Sequence, residues 1–523
     1  MKKTDKFVED LIESVKQDFN KRQMERKPFE AEWKLNNNFF QGNQYSLVNS
    51  YSDIEDLDKT YFWQEREVFN HIAPVMESRM SKLTATRPDM EVVPSSNSEE
   101  DRKIASLSKD ILKNAYEKLN LSSVIGKATH WSEICGTSFY KIVWDASAGK
   151  VVFDKSGKKM HEGELEVSAV SPFEIFPDSC AHENIEDCES IIHAKSYSTR
   201  EIKNNWGVDV EGEDIEEPYI ANGFTSVKHN QALVIEKYES PSIDFPNGRL
   251  IIVCSNKLLY LGELPYINLP DGKRGFPFVK QVALKRTGCF FGQSVISKLI
   301  PVQRAYNAVK NRKHEFINRL TMGVLSVEEG SVDIDDLVND GLQPGKVIEY
   351  RQGSTAPKFL TEGNMPDIFH DEEEQLLDEF SEISGVTELL SNRYYSKNLS
   401  GVAIELLIEE GENKLNITLD EIKNAVKQVA KQMLRLYKQF AVMPRLVKLS
   451  DTSSVAYFKN SDLGLEDVQF LSDSISNNSL KNQRTQLLSL IESGAFKNDD
   501  GTIDEDIKNK LLTLFGISAN DKS

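Results

Sequence analysis

Cys180, His182, Cys188 and His193 fall close together and carry the side chains that hold zinc. Their spacing matches none of the paired-cysteine patterns from which tetrahedral sites are built, so no metal site is expected there. Gly288-Cys289-Phe290-Phe291-Gly292 sets two glycines where a strand pattern gives way to a helix, a helix start of the kind that can cradle a phosphate. No Lys-Ser or Lys-Thr pair follows, and a plain tight turn is the expectation. The acidic run 371–374 has the chemistry to attract a divalent cation, but a solvated or ion-paired helix face is the simpler reading. There is no P-loop, no G-x-S-x-G elbow and no H-E-x-x-H helix. The expectation is a protein with no catalytic residues, no metal and no cofactor.

What the residues offer instead is charge arranged on helices and turns. Arg304, Arg312 and Arg319 lie roughly together on one side of a helical pattern, away from its apolar stripe. Asp371, Glu374, Asp378 and Glu382 form an acidic ridge on a second helix. Outward ridges of opposite sign suit head-to-tail contact between copies of one protomer, which closes into a ring when the rotation permits. The alternative is two solvated faces, since exposed ion pairs contribute only about 0–1 kcal/mol. A polar turn carries Glu328, Glu329, Asp333, Asp335 and Asp336. Arg393, Tyr394, Tyr395 and Lys397 form a basic-aromatic cluster in the polar stretch 386–399. That stretch reads as a helix–helix connection or, in a ring, as a collar making sequence-independent phosphate contacts.

Against these few basic residues stands a net charge of −19. A protein that grips DNA clusters Lys and Arg on the phosphates, and its affinity falls steeply with salt. This chain as a whole is therefore no conventional DNA binder. An acidic protein can still surround a duplex if the task is to let it slide.

The elements that must position these groups follow from periodicity. Val295, Leu299, Val302, Tyr306, Val309, Phe316 and Leu320 mark one long helix, and Phe369, Leu376, Phe380 and Ile383 a second. A third stripe runs unbroken through Leu415, Leu419, Ile422, Val426, Val429, Met433, Leu436 and Phe440, with Ser400 as its candidate N-cap and Gly411 and Asn413 as a candidate kink. Between the first two lies a β-like excursion, with strands expected at GVLSV and PGKVIEYR. Upstream, a helix is expected over 5–26, a second starting at Pro28 and stopping at Gly42, and others over 72–84, 100–119 and 199–206. Period-two patterns place strands at 139–144, 150–153, 165–170, 190–195, 232–238, 249–255, 257–261 and 278–284, with 209–217 an exposed acidic loop. Two further helices are expected at 483–493 and 503–515. The 523 residues suffice for two or more domains, and 39% hydrophobic with 28% charged residues fits a soluble α+β protein. No secretory h-region opens the chain and no apolar run reaches the roughly 18 residues of a membrane span. Five scattered cysteines fit a reducing cytoplasm.

Three stretches carry a resemblance: EWKLNNNFFQGNQ with FNHIAPVMESRMSKLTATRPDMEVVPSS; GTSFYKIVWD with AVSPFEIFPDSCAHENIEDCESIIHAKSYSTREIKNNWG; and FFGQSVISKLIPVQRAYNAVKNR with ISGVTELL and SGVAIELLIEEGENKLN. In order and spacing over roughly 30–440 the chain resembles the portal proteins of tailed double-stranded DNA bacteriophages, nearest the short-tailed branch. The resemblance implies a mixed α+β wing (1–285), a two-helix stem (286–320 and 366–385) and a small α/β clip (321–365). It further implies a tunnel loop (386–399), a tunnel helix with lower crown (400–440), and a wing return with a short helical crown (441–523). It implies a dodecameric homo-oligomer at the unique vertex of the virion capsid, assembled in the host cytoplasm, and no membrane partner. Double-stranded DNA would pass through it non-specifically during packaging and ejection. Terminase and then a head–tail adaptor would meet the acidic turn of the clip. The major capsid protein and, where one is used, a scaffold complete the partners, and the packaging ATPase is a different protein. Another head–tail connector or adaptor is the alternative, and more remotely an unrecognised cytoplasmic enzyme.

Overall fold

The computed structural model describes residues 3–57, 64–85, 90–94, 96–153, 159–216, 227–269, 271–322, 324–335, 337, 347–360, 366–386, 401–448, 455–464 and 468–470. Helix and sheet are mixed, as the patterns require. The helices used below are α1 (Lys3–Gln41), α2 (Ile72–Ala85), α3 (Glu99–Lys118), α4 (Leu121–Cys135), α5 (Thr199–Trp206), α6 (Val295–Met322), α7 (Ile368–Ser384) and α8 (Gly401–Phe440). The chain divides into two compact units: Met1–Lys34, Glu77–Val295 and Asn413–Ser523 form the first, Leu35–Met76 and Ile296–Glu412 the second.

The first unit is layered. Its six-stranded sheet runs Lys257–Gly262, Arg249–Cys254, Val227–Glu239, Ser190–Ser198, Ile175–Pro177, with Glu213–Glu216 paired along the long Val227–Glu239 strand. Alternation sends Ile192, Ala194, Ile235, Ile251 and Val253 to one face, where Ile12, Val15 and Phe19 of α1 cover them. The opposite face meets a three-stranded sheet of Phe278–Val282, Thr137–Asp145 and Glu164–Val170. Phe278 packs edge-on against Tyr238 at 5.3 Å. Beyond the smaller sheet, Tyr140, Ile142, Leu165 and Val167 join α3, α4 and α8 in the second core. The unbroken stripe of α8 supplies Ile422, Val426, Val429, Met433 and Leu436 to that core.

Charge is buried between these layers. Glu236 accepts from Lys141 Nζ at 2.6 Å and from Tyr238 OH at 2.7 Å, and it lies 3.1 Å from His193 Nδ1. Burial alone would raise the Glu236 carboxyl, but Lys141 and His193 beside it outweigh that and hold it far below the usual carboxylate range. Elsewhere the Arg79 guanidinium of α2 donates to Glu133 of α4 and, at 2.8 Å, to Thr418 Oγ1 of α8, whose own hydroxyl donates to Ala283 O. Arg79 and Glu133 are both buried. Where α4 ends, Gly136 and Gly292 pass back to back. A Cβ on Gly136 would stand 2.6 Å from Gly292 O, so both positions exclude any side chain. Of the two glycines at 288 and 292, Gly292 thus serves backbone approach, whereas Gly288 has open space around it and takes a φ of 65°, consistent with a turn.

Several sequence expectations need correction. α1 does not break at Pro28: it continues through it, although an interior proline costs about 3 kcal/mol. Anchors on both sides explain the tolerance. Arg22 donates to Phe176 O and Ser190 O, Arg26 to Pro172 O, Phe173 O and Ile175 O, and Trp33 packs on Phe291 at 5.0 Å. The helix α4 carried no expectation, because its sequence LSSVIGKATHWSEIC lacks a clean apolar stripe. The loop 209–217 contributes the strand Glu213–Glu216. In the excursion, Val324–Ser326 pairs with Lys358–Leu360 rather than with PGKVIEYR. The helices expected at 483–493 and 503–515 lie outside the described residues.

Two predictions follow from the buried charge. Arg79→Ala strands Glu133 without its partner and should cost about 3–5 kcal/mol in chemical denaturation, whereas Glu133→Gln, which removes the charge but keeps the shape, should cost less. For Glu236, the folded pKa lies below its ordinary 4.5, so its stabilisation is complete above that pH and lost as pH falls below it. Lys141→Met should lower stability at pH 7 and flatten the acid limb of urea midpoints measured down to about pH 3.5.

Candidate functional site

In the second unit α6 and α7 pack antiparallel. Tyr306 stands against Phe380, with centroids 6.5 Å apart, and Phe316 against Phe369 at 6.3 Å. Glu373 reaches across the seam. It accepts from Lys313 Nζ at 2.9 Å and Tyr306 OH at 3.3 Å, and it pairs with Lys310. Burial would raise the Glu373 carboxyl, but Lys310 and Lys313 outweigh it and hold it low. Both apolar stripes are thereby used within one protomer.

Along α6 runs a second, polar row. Gln303, Asn307, Asn311 and Glu315 recur every four residues and so share one face. Against them lies the extended segment 64–71. The backbone N–H groups of His71, Phe69, Glu67 and Glu65 donate in turn to Gln303 Oε1, Asn307 Oδ1, Asn311 Oδ1 and Glu315 Oε1, at 3.0–3.1 Å. Gln303 and Asn311 donate back to Phe69 O and Glu67 O at 2.8 and 3.0 Å. Asn307 donates to Gln44 Oε1, and Asn311 to Tyr45 OH. The His71 ring stacks edge-on against Tyr306 at 4.5 Å. Burial, then the nearby Lys310, lowers its pKa, with Glu373 opposing, so the ring is neutral at pH 7.

The charged residues singled out from sequence distribute as follows. Arg304 donates to Ser46 O at 2.9 Å and lies over the Phe39 ring at 5.1 Å, so its head is engaged inside the protomer. Arg312 is exposed on α6; Arg319 belongs to the same helix, its side chain outside the described residues. On α7, Asp371 and Asp378 are exposed and Glu374 lies 3.7 Å from His370. In the short hairpin, Glu328, Glu329, Asp333 and Asp335 are exposed. The Thr355 N–H donates to Glu328 Oε2 at 2.7 Å, which holds that carboxyl below its usual value. Asp336 and the cluster Arg393, Tyr394, Tyr395 and Lys397 lie outside the described residues.

The two histidines considered for zinc are otherwise engaged, and both cysteines are free thiols. His193 sits between Glu236 and Glu174, and His182 lies 3.6 Å from Asp178. Among the described residues no three His, Cys, Asp or Glu converge as metal ligands, and no helix is long and apolar enough to cross a membrane. Sequence reasoning missed the α6 ladder and Glu373. The four-residue recurrence of amides was visible beside the apolar stripe, and the patternless stretch 64–71 was the matching signal.

A family model described as phage P22-like portal protein matches residues 17–241 and 247–461. No curated protein matches the chain.

Asn307→Ala and Asn311→Ala each leave a backbone N–H of 64–71 without its acceptor. Each should cost about 1–3 kcal/mol and speed amide exchange at Phe69 or Glu67 respectively. Arg312→Ala, on the exposed face of the same helix, should do neither in the isolated protomer.

Proposed function

This chain belongs to the phage P22-like portal protein family, and from that premise we propose that copies of it close into the dodecameric ring through which a phage genome enters and leaves the capsid. The family places it among structural components of the capsid vertex that serve DNA packaging and head–tail connection. The observation that supports the channel reading is the antiparallel α6–α7 pair, whose apolar faces are satisfied internally while Arg312, Asp371 and Asp378 stay exposed. In this reading α6 and α7 form the stem. The hairpin around Glu328, Glu329, Asp333 and Asp335 forms the clip and meets terminase, later the tail adaptor. Arg393, Tyr394, Tyr395 and Lys397 form the collar nearest the duplex, and α8 rises above them.

The electrostatics fit passage rather than grip. A ring multiplies the net charge of −19 by its copy number, and an acidic wall repels the phosphate backbone. The few basic residues then centre the duplex through exchangeable phosphate contacts. DNA affinity should therefore be weak, sequence-independent and strongly salt-sensitive; a tight, sequence-selective footprint would contradict the reading.

Electron-microscopy class averages of the purified protein should show rings with a central hole; compact particles would overturn the proposal. Within rings, Arg312 and Arg319 face the acidic ridge of the neighbouring α7. Reversing both to Glu should shift assembly toward monomers, and adding Asp371→Arg with Asp378→Arg should restore it, read by sedimentation. Normal assembly of the first double variant rules the pairing out.

A further inference from the structure

The α6 ladder shows how this protein fastens an extended backbone to a helix. Four helical residues rise about 6.0 Å and two extended residues about 6.6–6.8 Å, so amides four apart meet every second residue of a chain laid along them. A second row with the same spacing lies on α8, in the first unit: Asn424, Gln428 and Gln432. These three line a cleft of about 390 Å³ whose other wall is the turn around Lys280 to Gly292. Asn424 and Gln428 are exposed and Gln432 half-buried. Among the described residues none of the three amides has a hydrogen-bond partner. The opposite face of α8 is locked into the core by Ile422, Val426, Val429 and Met433, so the row is held in place before anything binds.

We propose that the α8 cleft receives an extended segment of a neighbouring copy of this chain, held by its backbone on the amide row as α6 holds residues 64–71. The row is neutral, with donors and acceptors in equal number, which suits peptide N–H and C=O groups. Glu183, Glu186 and Glu421 line the cleft beside Lys280, Lys285 and Arg286, so it carries no excess of positive charge that would favour a phosphate backbone. Lys285 of the same wall is 2.8 Å from Glu421, and Arg286 is 3.1 Å from Glu32, so these cations are already engaged. From Asn424 to Gln432 the helix rises about 12 Å, room for about four extended residues. The choice of a second copy rests on the ring reading: in a closed ring every cleft has a neighbour held permanently close, at high effective concentration.

The test replaces Gln428 by a diazirine-bearing amino acid of similar length and irradiates rings assembled from mixed light and heavy-isotope subunits. Mass spectrometry should find the label bridging light to heavy chains, on one short segment. Separately, Asn424→Ala, Gln428→Ala and Gln432→Ala combined should speed subunit exchange between rings about tenfold. Rings that give only within-chain products at position 428 overturn the proposal while leaving the portal reading intact. Unchanged exchange in a triple variant with native circular dichroism also overturns it. If the protein forms no rings at all, both fall together. The photolabel needs no triple variant, so a folding failure there does not shelter the idea.

Discussion

An extended chain stays in register with a helix only if two repeats agree, and α6 meets that condition over four successive contacts. Each contact satisfies a backbone N–H that has no strand beside it, which is the usual solution to a buried peptide group. Because the acceptors are short amides and one carboxylate on a single helix face, the segment cannot slip by one residue without losing every bond. That fixes the end of the segment at α2, and it fixes His71 between Tyr306 and Phe380. The α6–α7 seam is therefore braced on one side by a ladder and across its middle by Glu373. Braced in this way, the helix pair holds its exposed charges, Arg312, Asp371 and Asp378, at fixed spacing within one protomer.

The first unit solves a different problem with a similar economy of parts. Its layers are held by hydrophobic faces, yet Arg79–Glu133 and Lys141–Glu236 lie between them. Such pairs add little net stability over well-packed apolar residues, because both ions are stripped of water. They do impose a penalty on misalignment. A shift between α2, α4 and α8 separates Arg79 from Glu133 and Thr418 together, so the arrangement of layers is tightly specified even where apolar packing alone would tolerate sliding.

Much of this was legible in the residues. The stripes of α6, α7 and α8 announce themselves by period, because each helix buries one apolar face, and so do the strands of the two main sheets except Ile175–Pro177 and Glu213–Glu216. Reading failed where the cause is not periodic. Pro28 marks a helix start in isolation, and only Arg22, Arg26 and Trp33, fastened to loops some 140 residues or more distant, keep α1 whole. Lys358–Leu360 was passed over for PGKVIEYR because the latter has the richer β-forming composition, while pairing with Val324–Ser326 is decided by tertiary contact. The charges on α6 and α7 were visible, but not that Arg304 binds Ser46 O while the sequence neighbour of Glu374, Glu373, reaches inward. A one-residue step around a helix is 100°, enough to turn a solvated ridge into a seam.

The first unit takes its parts from both ends of the chain. Val468–Phe470 pairs with Met90–Val92, and Phe458 and Leu463 enter the same core as Ile111 and Leu112. On a ribosome, the early helices and strands therefore emerge hundreds of residues before the pieces that cover them. Their apolar surfaces wait, open, while α6, the hairpin and α7 are still being synthesised, a long interval at translation speeds of about 5–20 residues per second. Chaperone demand should concentrate in that interval, and a chain cut short before Phe458 leaves Ile111 and Leu112 without part of their cover.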